Sequence, residues 1–172
     1  MCSSDLVNYR KLGCTGMEVS EIGLGCNNFG MRIDLEGTRA VVAKALDLGV
    51  NFFDTADNYG NFGGSETLLG QVLGEDRKRI VLATKFAAPM AADVTRKNAS
   101  RRYMMSAVEA SLTRLKTDWI DLYQLHRIDP DVPAAEQFET LRAFQQEGKV
   151  RLVGLSEVSV AEVAQEIGRA HV

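Results

Sequence analysis

The 172-residue chain is 45% hydrophobic and 25% charged, with a formal net charge of −3, the balance of a globular domain rather than a disordered chain. It has no basic patch for nucleic acid, no apolar run near the ~20 residues of a bilayer span, and no charged-then-apolar leader, so a cytoplasmic location is expected. Cys2, Cys14 and Cys26 are odd in number and lack CxxC spacing, which argues against a disulfide framework or a zinc site.

The two ends are expected to be foreign to the fold. Glu166-Ile167-Gly168-Arg169-Ala170-His171-Val172 back-translates to a common sequencing-adapter string, and Met1-Cys2-Ser3-Ser4-Asp5-Leu6 reads as its reverse complement. Residues 1–6 and 166–172 are therefore set aside, leaving 7–165 as one partial domain whose C-terminal remainder is expected to be missing.

In chain order, Tyr9 to Leu12 is predicted to form a hairpin arm turning at Gly13-Cys14-Thr15-Gly16, and Val19 to Leu24 the first strand. A helix after Asp34 carries the apolar stripe Val41, Val42, Ala45, Leu46 and Leu48 and stops at Gly49. The second strand spans Val50 to Asp54. Ser65 is predicted to cap a helix through Leu68, Leu69, Val72 and Leu73 that ends at Gly74. The third strand is Ile80 to Thr84, and Ser100 is predicted to cap a helix lined by Met104, Val108, Leu112 and Leu115. The fourth strand, Ile120 to Leu125, precedes a helix that begins near Pro133, buries Phe138, Leu141 and Phe144, and closes at Gly148. The fifth strand is Val150 to Leu155. Ser159 with Glu162 forms a capping box for another helix.

This alternation predicts an α/β chain with a parallel sheet. Units of ~30 residues extrapolate to roughly 250 for a closed barrel, so the fold expected is an incomplete (β/α)8 barrel, its first five strand-helix units with an N-terminal hairpin. A doubly wound dinucleotide fold shares the alternation. However, Gly23-Leu24-Gly25-Cys26-Asn27-Asn28-Phe29-Gly30 lacks the third glycine of its fingerprint, and no Walker A loop is present.

A barrel assembles its active site at the C-terminal strand ends. The second strand ends at Asp54, the third leads into Lys85, the fourth into His126 and the fifth into Ser156. Alone, each has a bland structural explanation: a turn cap, a solvated lysine, a hydrogen-bonded core histidine. Polar groups repeated at ends that converge on one mouth weaken that explanation. Reducing a carbonyl places negative charge on oxygen and requires a proton donor. Tyr59 is the candidate general acid. Phenols ionise near ~10, and a nearby cation favours the phenolate. Lys85 can supply the cation, Asp54 can pair with Lys85, and His126 can orient the carbonyl.

Asp54-Thr55-Ala56-Asp57-Asn58-Tyr59-Gly60, Thr84-Lys85 and Leu122-Tyr123-Gln124-Leu125-His126, in this order, resemble the tetrad motifs of the aldo-keto reductases, as do Gly64-Ser65-Glu66-Thr67-Leu68-Leu69-Gly70 and Glu147-Gly148-Lys149-Val150-Arg151. The resemblance covers residues 9 to 165 and implies those same roles for Asp54, Tyr59, Lys85 and His126. It further implies NADP bound without a Rossmann module, touched by Gly25, Cys26, Asn27, Asp54, Ser156 and the residue at 157. Many members carry Asn at 157. This chain carries Glu157, as in a bacterial and fungal pyridoxal-reductase-like subgroup that also shows a segment similar to His126-Arg127-Ile128-Asp129-Pro130. An amide donates and accepts whereas a carboxylate only accepts, so the carboxamide contact is in question there. Asn28, Ala87 and Arg127 are candidates for the pocket lining.

The function expected is NADP-dependent reduction of aldehydes or ketones, extending through the subgroup to sugar-like or pyridoxal-like carbonyls. The family's determinants of NADP over NAD follow the eighth strand and are absent here. The alternative on the same fold is a cofactor-binding, channel-associated redox sensor with little turnover. A phosphate-binding isomerase barrel ranks well below both.

Overall fold

The alternating pattern folds as a single parallel sheet backed by helices. A computed structural model describes residues 7–90 and 98–164. The terminal segments 1–6 and 166–172 lie outside the described residues. An antiparallel hairpin, β1 (Tyr9–Lys11) with β2 (Glu18–Ser20), precedes β3 (Gly23–Gly25), α1 (Leu35–Asp47), β4 (Phe52–Asp54), α2 (Tyr59–Val72), β5 (Val81–Phe86), α3 (Arg101–Leu115), β6 (Ile120–Leu125), α4 (Ala134–Gln146) and β7 (Val150–Leu155). The sheet order β3-β4-β5-β6-β7 follows the chain, every pair parallel. This is the open, five-strand portion of a (β/α)8 barrel.

Three sequence expectations are corrected. The predicted first strand, Val19 to Leu24, is two elements: Ser20 ends the hairpin and β3 begins at Gly23. Hydrogen bonds cause the break. The Ser20 N–H donates to Asn51 Oδ1 (2.7 Å), its hydroxyl donates to the Ile22 carbonyl (2.7 Å), and the Glu21 N–H returns to Asn8 (2.9 Å). Ser65 caps no helix through its side chain. The second helix starts earlier, at Tyr59, and is interrupted at Gly60 to Gly63, where φ is positive at all four residues. Lys85 also lies within β5 rather than after it.

Ser100 stands at the N-cap position of α3, but its hydroxyl donates to Asn98 Oδ1 (2.8 Å) and makes no cap bond. Three other helix ends follow their expected chemistry. Asp34 accepts from the Gly37 N–H (2.9 Å) to open α1. Behind α1 the Gly49 N–H returns to Leu46 and the Val50 N–H to Ala45, and behind α4 Gly148 and Lys149 repeat the pattern, so both helices end in the same motif. The capping box forms: the Ser159 N–H donates to Glu162 Oε2 (2.6 Å) and the Glu162 N–H to Ser159 Oγ (3.2 Å).

The helices cover one sheet face. Phe53, Leu82, Phe86, Tyr123 and Leu125 alternate onto that face and are fully or almost fully buried with Met104, Val108, Leu115, Leu141 and Phe144. Each such side chain contributes about 1.5–3 kcal/mol relative to exposure. Helices α2 and α3 cross at Gly70, where an added Cβ would stand 2.1 Å from the Arg114 carbonyl oxygen. At the N-terminal end of the sheet, Asp121 ties three strands together. Its Oδ2 accepts from the Leu82 N–H (3.0 Å) and Arg77 (2.8 Å), and its Oδ1 from Arg151 (2.8 Å) and Trp119 (3.1 Å). The opposite sheet face is left to polar chemistry. Among the described residues no helix is long and apolar enough to cross a membrane.

Candidate active site

Side chains alternate along each strand, so the strand register decides which residues share the open face. Gly25 pairs with Asp54 and Asp54 with Ala83, while Lys85 pairs with Gln124 and Gln124 with Gly154. One row of this face therefore carries Asp54, and the next carries Lys85 and Gln124. The chain leaves each strand by handing its N–H to the neighbouring strand: Cys26 to Asp54, Thr55 to Ala83, Asp57 to Lys85, His126 to Phe86 and Ser156 to Leu125, each at 2.9 Å. These bonds seat His126 and Ser156 at the rim beside Lys85.

The structure brings Asp54, Tyr59, Lys85 and His126 together. Lys85 Nζ, almost fully buried, lies 2.6 Å from Asp54 Oδ2 and 2.9 Å from the Thr55 carbonyl oxygen. It stands 5.1 Å from the centre of the Tyr59 ring, which meets the His126 ring edge-on at a centroid distance of 5.8 Å and an angle of 83°. Gln124 Nε2 donates to Asp54 Oδ1 (3.3 Å), so both carboxylate oxygens are held. The lysine charge is thus buried but paired, which offsets its desolvation.

Tyr59 owes its position to the left-handed turn behind it. Gly60 has φ 67°, and a Cβ there would stand 2.2 Å from the Phe29 carbonyl oxygen, so a side chain is excluded twice over. Asn61 and Phe62 also adopt positive φ (59° and 63°), a conformation costly for residues with a Cβ. Ser65 closes the turn: its hydroxyl donates to the Cys26 carbonyl (2.7 Å) and shares a bond with Thr55 Oγ1 (2.8 Å). Three loops are locked by that one hydroxyl, which is why it is unavailable as a cap.

The predicted cofactor contacts divide. Gly25 and Asn27 are exposed at the end of β3, and nothing lies within 4 Å of a Cβ built on Gly25. Ser156 is half-buried at the end of β7. The Cys26 side chain does not reach this surface: its thiol is buried and turned to the Leu24 carbonyl, with its pKa pushed up to about 12 by burial and then by the Asp54 charge. Glu157 turns toward Arg127, with which it forms an ion pair, and its Oε1 lies 3.8 Å from His126 Nε2. Of the pocket candidates, Arg127 is exposed at this rim and Asn28 is half-buried. Ala87 is corrected: it is completely buried in the apolar core and lines no open surface.

Electrostatically, His126 is held below the ordinary histidine range, first by burial and next by the Lys85 charge, with Glu157 acting in the opposite sense. Asp57, in the same loop as Asp54 and Tyr59, has its pKa raised to about 8 by burial and by Glu66, which Arg114 only partly offsets. Neither Asp57 nor Gln124 was singled out from the sequence. The signal for Gln124 was available, since it stands two residues before His126 on a strand and so faces the same side. Asp57 carried no such signal, because the charged groups around it, Glu66 of α2 and Arg114 of α3, come from elsewhere in the chain.

Comparison with known proteins accords with this geometry. The model of the aldo/keto reductase family matches residues 21–171. The aldo-keto reductase YhdN of Bacillus subtilis is 37% identical over 163 residues, 91% of this chain and 49% of its own. The L-glyceraldehyde 3-phosphate reductase of Escherichia coli O157:H7 is 33% identical over 171 residues, 96% of this chain and 49% of its own. An aldo-keto reductase of Bacillus halodurans, solved in its holo form, superposes with a TM-score of 0.86 at 36% identity, over 95% of this chain and 54% of that one. The chain thus spans about half the length of the relatives it matches. Sequence, fold and strand-end constellation agree, and the chain belongs to the aldo/keto reductase family.

Proposed function

We propose that this chain forms the first half of an NADP-dependent reductase that converts aldehydes or ketones to alcohols. One observation carries the reading: a buried lysine paired to Asp54 at 2.6 Å stands beside a tyrosine ring that also meets His126. Tyr59 delivers the proton to the carbonyl oxygen as negative charge develops there. Lys85 stabilises the phenolate left behind, and Asp54 with Gln124 keeps the ammonium in place. His126 donates a hydrogen bond to the same oxygen and aligns it with the phenol. The fit to a nicotinamide rests on the open floor at Gly25 and Asn27 beside Asp54 and on the half-buried Ser156 hydroxyl at the far rim. When bound, the reduced ring supplies the hydride.

The test is Tyr59→Phe in the full-length protein. Turnover of an aldehyde with NADPH is expected to fall about 10²-fold or more while cofactor affinity holds. Retention of wild-type turnover would remove Tyr59 from the role.

A further inference from the structure

We propose that Glu157 is a positioning residue that acts through His126, biasing its single proton onto Nε2, the nitrogen that must donate to the substrate carbonyl. This rests on the reductase reading only for the use made of that proton.

A neutral imidazole carries one N–H and one lone pair, and the partners of its two nitrogens decide which is which. His126 Nδ1 is buried and has no hydrogen-bond partner among the described residues. A proton there would be a buried donor left unsatisfied, which already favours Nε2–H, but no contact on that side fixes the preference, because an unprotonated Nδ1 is left without a partner as well. The contact that reinforces it lies on the Nε2 side. Glu157 provides it: its Oε1 lies 3.8 Å from Nε2. At that distance the carboxylate favours an N–H pointing toward it but is too far to consume the bond, so the proton stays available to a substrate oxygen. Arg127 pairs with the other carboxylate oxygen. That pairing offsets the negative charge Glu157 would otherwise bring to a site where an oxyanion develops.

The backbone supports the assignment. Glu157 adopts φ 51°, the left-handed region, although it has a Cβ, and such strain persists where surrounding contacts over-determine it. The other groups around the ring do not supply the bias. The Lys85 cation disfavours a second proton on His126 and so keeps the ring neutral, Asp54 is committed to Lys85 and Gln124, and the Tyr59 ring meets the imidazole edge-on.

The experiment is ¹⁵N NMR of histidine-labelled full-length protein, with the His126 signals assigned by comparison with His126→Gln. Wild-type His126 is expected to show Nε2–H at neutral pH. Glu157→Ala is expected to populate the Nδ1–H form and to move the His126 titration to lower pH, with kcat/KM for an aldehyde falling about tenfold, within the ~10² range of a misaligned group. Glu157→Gln keeps the shape and an acceptor oxygen. It should retain Nε2–H while still lowering the titration, which separates charge from contact if the alanine variant does not fold. An unchanged tautomer and titration in both variants would overturn the proposal, even with Tyr59→Phe inactive and the reductase reading intact. A wild-type protein that binds NADPH but turns over no aldehyde would overturn the reductase reading and, with it, the use assigned to the Nε2 proton.

Discussion

Asp57 stands between Asp54 and Tyr59 in one loop, yet its carboxyl faces the helices rather than the mouth, where Glu66 repels and Arg114 attracts it. Glu66 is fully spent, accepting from Thr84 Oγ1 (2.6 Å) and Arg114 Nε (2.8 Å), so it remains a fixed negative neighbour. The folded Asp57 therefore keeps its proton up to about 8, against 3.8 for an unperturbed aspartate. Between those values the folded state binds more protons than the unfolded one, and stability falls as pH rises across the window. Asp57→Asn cannot ionise. Denaturant unfolding of the full-length protein should show the variant gaining on wild type from about pH 4 to about pH 8, by up to roughly 1.4 kcal/mol per pH unit. A stability difference flat across that range would show that Asp57 is ionised in the fold.

At the scale of elements, β5, β6 and β7 are held in register at their N-terminal ends by Asp121, and at their C-terminal ends they present Lys85, His126 and Ser156. The guanidinium groups of Arg77 and Arg151 lie 4.5 Å and 5.1 Å from the Trp119 ring, extending the clip beyond its ion pairs. Arg77 is 5% exposed, so removing its partner strands a buried charge. Asp121→Ala is expected to destabilise the full-length protein by about 3–5 kcal/mol, read as a lower denaturant midpoint. A loss below about 1 kcal/mol would mean that water reaches Arg77 and that the clip is dispensable. The site should report the same change, because the strands that carry Lys85 and His126 share this anchor.

For the whole molecule, the sheet is open. Among the described residues β3 pairs only with β4 and β7 only with β6, and each leaves an edge of backbone donors and acceptors. Ile22 and Val153, beside and within those edge strands, are 63% and 37% exposed, and Val160 after β7 is 89% exposed. We propose that residues 7–165 alone do not form an autonomous reductase. Each exposed Val or Ile forgoes roughly 1.5–3 kcal/mol of burial, against a typical net stability of only ~5–15 kcal/mol. Expressed alone, this segment should aggregate or melt without a cooperative transition. A soluble monomer that melts cooperatively and reduces an aldehyde with NADPH would contradict this.

Periodicity sufficed for the parallel sheet and the positions of β6 and β7, because apolar spacing and Pro133 or Gly148 act locally. The same holds for the ends of β4, β6 and β7, since a strand's exit point follows from its own pattern, whereas β5 runs on through Lys85 to Phe86. Tertiary contacts decided the rest. Ser65 leaves its expected cap because two neighbouring loops compete for its hydroxyl. The division at Ser20 depends on Asn51, 31 residues away. Cys26, Ala87 and Asp57 sit in segments that read as part of the mouth, yet all three are buried in the folded chain. The nature of a side chain is written locally, but whether water, a charge or a partner's hydroxyl faces it is settled only when distant segments meet.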